Sequence, residues 1–150
     1  MEREHYGQLA IMIGLSFIAM FILMYAMVDT LANVYPNINQ FYMAGLMASP
    51  MVLIELAVMR GMYTHKRANI VIAVVAIIAM IAFFMGIRQQ VAVNDAQFLK
   101  SMIPHHAGAI LMCEKARVQD PAIKQLCATI IQSQQAEIAD MKARLAMLSQ

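Results

Sequence analysis

"NIVIAVVAIIAMIAFFMGI", Asn69–Ile87, runs for 19 residues without a charge. A helix rises about 1.5 Å per residue, so this run matches the roughly 30 Å hydrocarbon core of a bilayer. Core helices of soluble domains are rarely so long and so free of charge. Two more runs have the same character: "LAIMIGLSFIAMFILMYAMV" at Leu9–Val28 and "FYMAGLMASPMVLIELAVM" at Phe41–Met59. The chain is expected to cross a membrane three times. The first run has a weakly charged leader (Glu2, Arg3, Glu4), a long core and no convincing cleavage site, so it reads as a retained span rather than a signal peptide.

Composition agrees. Of 150 residues, 61% are hydrophobic and 13% charged, too apolar for an ordinary soluble domain. The net charge of +2 gives no case for nucleic acid. Orientation follows from Lys and Arg in the short loops. The loop Asp29–Gln40 has neither, whereas Arg60–Ala68 has Arg60, Lys66 and Arg67. The second loop is therefore expected in the cytoplasm, together with the N-terminus and Arg3. Everything after Ile87 is expected on the periplasmic side of a bacterial inner membrane. Tyr6, Tyr25, Tyr42 and Tyr63 lie at span ends, where amphipathic rings favour the interface.

Methionine is unusually frequent, with 16 copies. In apolar spans it is a flexible filler, so only methionines beside other ligand types count toward a metal site. The column Met43, Met47, Met51 reads first as a packing stripe and second as a Cu(I) path. Glu55 is an intramembrane carboxylate, a functional candidate by default. Its position near the cytoplasmic end would also let it reach water or Arg60. Pro50 is expected to kink the second span.

From Val91 onward charges return and apolar residues fall on a helical period. Asn94 or Asp95 can cap a helix whose expected apolar face is Phe98, Met102, Ala109, Cys113 and Ala116. "VQDPAIK" breaks it, with Asp120 as N-cap and Pro121 at the first position of the next helix. That helix runs to about Leu148, with Ile123, Cys127, Ile130, Gln134, Met141 and Leu148 on one side. So short a joint predicts an antiparallel hairpin. With the turn near Asp120, Cys113 should face Cys127, His106 the level of Gln134, and Met102 the level of Ile138, with Met141 a turn beyond. The cysteine pair reads as a disulfide, two buried thiols or a thiolate metal site. Two helices alone bury little, so a second copy or the membrane part should cover them.

Within "MIPHH", Met102, His105 and His106 stand at i, i+3 and i+4, on one flank of a helix. Pro104 leaves the Lys100 carbonyl without its helical partner. The histidines straddle the line through Met102, so they are expected to have different partners. Met141 can approach across the hairpin. Thioether plus imidazole suits Cu(I), and imidazole also accepts Cu(II). Zinc would be expected to use Cys, His or carboxylate instead.

"FLKSMIPHHAGAILMCEKA" followed by "IIQSQQAEIADMKARL" resembles the ferritin-like family catalogued as domain of unknown function 305. The matching residues are Asp95, Phe98, Met102, His105, His106, Gln134, Glu137, Ile138 and Met141. The front of the chain, with three spans and "MRGMY" before the third, is similar to the membrane-anchored members. The resemblance implies a helical-bundle domain that binds copper and is linked to copper tolerance, with Met102, His105, His106 and Met141 as ligands. Met112, Gln134, Glu137, Cys113 and Cys127 are secondary candidates, and the two cysteines fall outside the motif.

The expectation is thus an all-α protein. Residues 1–90 form three transmembrane helices, and residues 91–150 form a ferritin-like hairpin that completes a four-helix bundle by homo-oligomerisation. The expected role is non-enzymatic copper sequestration, transfer or tolerance. The alternatives are a ferritin-like metal-dependent oxidase and a metal-free membrane assembly subunit. An oxidase centre needs several Glu residues and a Glu-x-x-His repeat, and the hairpin's only glutamates are Glu114 and Glu137, with no such repeat.

Overall fold

The structure, a computed structural model, describes residues 2–148, with side chains from Glu4 onward along the first helix. The Arg3 side chain, which entered the orientation reading, lies outside the described residues. Among the described residues there are five α-helices, two short 3-10 turns and no strand. The helices are α1 (Glu2–Leu23), α2 (Ile38–Val58), α3 (Lys66–Gln89), α4 (Asp95–Lys115) and α5 (Pro121–Leu148). The 3-10 turns, Met24–Met27 and Leu31–Asn33, lie between α1 and α2. Three segments are long and apolar enough to cross a membrane: Glu4–Met27, Ile38–Val58 and Lys66–Gln89. Each overlies the apolar run that predicted it, with its ends moved by a few residues.

The chain forms two compact units. The first contains, of the described residues, 2–23 and 39–91, that is, α1, nearly all of α2, and α3. Phe17 of α1 and Phe83 of α3 both meet Phe41 of α2 edge-on, with ring centroids 5.2 and 6.0 Å away. The buried face of α2 is mostly small: Ala44, Gly45, Ala48, Ser49 and Val52. Small residues let helix backbones approach where burial from water cannot drive association. At Gly45 the approach is so close that a methyl group would collide with the Phe83 ring. The methionine stripe lies on the other flank. Met43 and Met47 are 38% and 44% exposed, and Met51 is half-buried. The α2 helix continues through Pro50.

The second unit contains, of the described residues, 24–38 and 92–148. The expected caps are present. The Asn94 side chain accepts from the Gln97 amide at 2.9 Å, and Asp120 accepts from Ala122 and Ile123 at 2.8 and 3.0 Å. The helices α4 and α5 fold back on each other around Leu99, Ile103, Ala107, Ile110, Ile138 and Met141. The buried face of α4 thus differs from the one expected. Phe98 is 51% exposed, and the core row begins one residue later. On α5, Ile123 and Leu148 are exposed, whereas Ile138 and Met141 are buried.

Residues 24–28 were expected as the end of the first span and residues 29–40 only as a loop between spans. The segment 24–38 packs on α4 instead, with Val28 and Tyr35 against the hairpin core. Its buried Asn37 answers the break at Pro104. The Asn37 amide donates to the Lys100 carbonyl at 3.3 Å, the group that the proline leaves without a helical partner. It also donates to the Tyr35 carbonyl at 2.9 Å, which accepts the Tyr25 hydroxyl as well. In return, the Gln97 side chain accepts the Ile38 amide at 2.9 Å, at the start of α2.

Candidate metal centre

One groove of the hairpin gathers the donors singled out above. It is lined by Phe98, Met102 and His106 from α4 and by Ala136, Glu137, Asp140 and Met141 from α5. The spacing of Met102 and His106, one helical turn apart, sets them on one flank of α4. The return of α5 brings Met141 to them. At about 410 Å³ the groove is far roomier than a bare ion and is open to an exchanging ligand.

The two histidines part company, as their adjacency on α4 predicted. His106 lines the groove with its side chain 13% exposed. His105 is exposed and does not line the groove, its ring centroid 6.0 Å from that of His106 and its plane tilted by 59°. His106 Nδ1 is shielded from solvent and lies 3.0 Å from Glu137 Oε2, although the contact lacks the alignment of a hydrogen bond. Burial holds the His106 pKa below the ordinary imidazole value. Glu137 pulls it up and His105 pushes it further down. The register therefore differs from the expected one by less than a turn: His106 meets Glu137 rather than Gln134, which is half-buried outside the groove. Met112 is 53% exposed and also outside it.

At the turn end, Cys113 and Cys127 are free, half-buried thiols. They meet as the hairpin register predicts. A hydrogen bond to Cys127, then burial and the neighbouring thiol's charge, push the Cys113 pKa up. Among the described residues, no three His, Cys, Asp or Glu side chains gather at one point. Any metal held by this groove would depend on thioether sulfur.

Other sites flagged by the sequence resolve differently. Glu55 accepts from the Tyr63 hydroxyl at 3.2 Å, so its described partner is that phenol rather than Arg60. Tyr63 is buried beside the Tyr6 ring, and burial followed by Glu55 raises its pKa. A larger cavity in the first unit, about 610 Å³, is lined by apolar groups apart from Ser49, whose hydroxyl donates to the Gly45 carbonyl. It offers no ligand set. What the sequence reading missed is Asn37 beneath the Pro104 break. Asn and Pro in "NVYPNINQ" are ordinary connector residues, so no local signal marked Asn37.

The family model described as "Domain of unknown function (DUF305)" matches residues 46–145. The chain belongs to this family. The match begins inside α2 and takes in α3, α4 and most of α5, so the DUF305 region reaches well beyond the segment from Met102 to Met141. An uncharacterized protein, L153, of Acanthamoeba polyphaga mimivirus is 34% identical over 119 residues, covering 78% of this chain and 76% of its own length. No solved structure matches the chain.

Proposed function

We propose that this DUF305 protein is a membrane-anchored copper binder whose ferritin-like hairpin holds Cu(I) in the groove between α4 and α5. The supporting observation is the convergence there of two thioethers, Met102 and Met141, with the imidazole of His106. That neutral, soft-to-borderline set suits Cu(I), and the imidazole can also serve Cu(II). Binding needs neutral imidazole, and burial favours that form of His106. His105, exposed beside the site, is suited to exchange copper with a partner or a second copy. The role would be sequestration, transfer or tolerance, without catalysis. The basic loop between α2 and α3 supports a cytoplasmic N-terminus and a periplasmic hairpin. Exposed Phe98, Ile123 and Leu126 would be covered in a homo-oligomer that completes a four-helix bundle.

The test is competition between the purified full chain and a chromogenic Cu(I) chelator. Wild type should withdraw copper from the chelator, and a Met102→Leu, His106→Ala, Met141→Leu variant should not. Equal behaviour of the two proteins would refute the groove as the copper site.

A further inference from the structure

We propose that Glu137 is a positioning residue that keeps the imidazole proton of His106 on Nδ1, leaving Nε2 as the nitrogen that presents its lone pair to the groove. The assignment of Nε2 as a metal ligand rests on the copper reading above. The position of the proton does not, because it is a property of the metal-free protein.

Neutral imidazole carries one N–H and one lone pair, and a neighbour decides which nitrogen has which. At His106 the neighbour of Nδ1 is a carboxylate oxygen 3.0 Å away, and Nδ1 is sealed from solvent. A lone pair on Nδ1 would face that anionic oxygen with no water between them, which is repulsive. An N–H on Nδ1 is attracted to it, even before the two groups are well aligned. Alignment is within easy reach, since the Glu137 side chain is 52% exposed and can turn without disturbing the core. The His105 ring is exposed, with its centroid 6.0 Å from that of His106 and its plane at 59° to it. Asp140, the other carboxylate of the groove, is already engaged by Arg144 at 2.6 Å.

With Glu137 in place, Nδ1 is buried against the carboxylate, which favours the other nitrogen as the ligand. The ring would then meet a metal through its other edge. A carboxylate behind a ligating imidazole fixes the ring and raises its basicity, and losing such a partner typically weakens metal binding by about 10–100-fold.

The experiment is long-range proton–nitrogen correlation NMR on the ¹⁵N-labelled, metal-free full chain in detergent, at about pH 8, where imidazole is neutral. His105→Gln and His106→Gln assign the rings. Wild-type His106 should show the Nδ1–H pattern, and Glu137→Ala should shift it toward Nε2–H with His105 unchanged. A wild-type ring in the Nε2–H form overturns the proposal without any variant. So does an Nδ1–H ring that persists in a folded Glu137→Ala protein. Cu(I) competition on the same samples separates the two readings. If the tautomer shifts on mutation but wild type takes no copper, the Glu137 assignment stands and the copper reading fails. If wild type binds copper, Glu137→Ala should weaken binding at least about tenfold.

Discussion

Met43 and Met47 lie exposed on the flank of the three-helix unit with Met51 half-buried beside them, whereas Met102 and Met141 line a groove shared with His106. The residue type and its helical spacing are comparable in the two regions, and the surroundings are not. On α2 the interior belongs to Ala44, Gly45, Ala48 and Ser49, whose small size the helix contacts require. Methionine is left to the outer flank, where any apolar side chain of similar volume would do. On the hairpin Met141 is 8% exposed, next to the imidazole and carboxylate of the groove. A methionine stripe therefore says little about metal until a second kind of ligand is found beside it.

The largest expected effect tests that contrast directly. Replacing Met43, Met47 and Met51 together by leucine should leave Cu(I) affinity unchanged. Replacing Met102 and Met141 by leucine and His106 by alanine should lower it by at least about a hundredfold, or roughly 2.7 kcal/mol. Comparable losses in the two variants, read by chelator competition, would erase the distinction.

Next in size is the difference between the histidines. His106→Ala should cost about tenfold more affinity than His105→Ala, or roughly 1.4 kcal/mol, since only His106 lines the groove. Equivalent single variants would mean that both rings bind one metal. Rapid-mixing transfer to a chelator should instead reveal His105, as a change in rate.

Support for the groove can be probed through Asn37, which answers the Lys100 carbonyl freed by Pro104. Asn37→Ala should destabilise the hairpin by about 1–3 kcal/mol, the usual cost of leaving a buried polar group unpaired. Thermal unfolding followed by circular dichroism reads this. An unchanged midpoint would mean that the segment 24–38 merely rests on α4.

The smallest effect is on pH dependence. With the His106 pKa lowered by burial, the ring stays neutral to lower pH than an exposed imidazole, and copper binding should persist accordingly. Without metal, the unfolded chain takes up this proton first as pH falls below about 6.5. The stability owed to neutral His106 is complete above that pH and is lost as pH falls through the folded-state pKa. The thermal midpoint should therefore fall more steeply between about pH 7 and pH 5 in wild type than in His106→Gln. Parallel curves would remove His106 from the linkage.

Much of this was legible from residues in order. Asn69–Ile87 and its two companions announced helices because spanning length and freedom from charge are properties of the run alone. Asp120 and Pro121 announced the hairpin turn because capping is local. The distance from that turn sufficed to oppose Cys113 and Cys127. It did not suffice for His106, where helix crossing and side-chain direction moved the partner from Gln134 to Glu137. The buried row of α4 was displaced in the same way, since Phe98 and Leu99 are both apolar and only packing selects Leu99.

By itself the sequence determined three helices long and apolar enough to cross a membrane, a capped two-helix hairpin, and a Met-His-His flank on its first helix, because helical period, length and caps act between near neighbours. Only the tertiary structure decided which histidine enters the groove and which carboxylate stands behind it. It also brought the segment 24–38 to the hairpin, with Asn37 against the Pro104 break. Those outcomes depend on contacts between residues tens of positions apart, where no local period carries the information.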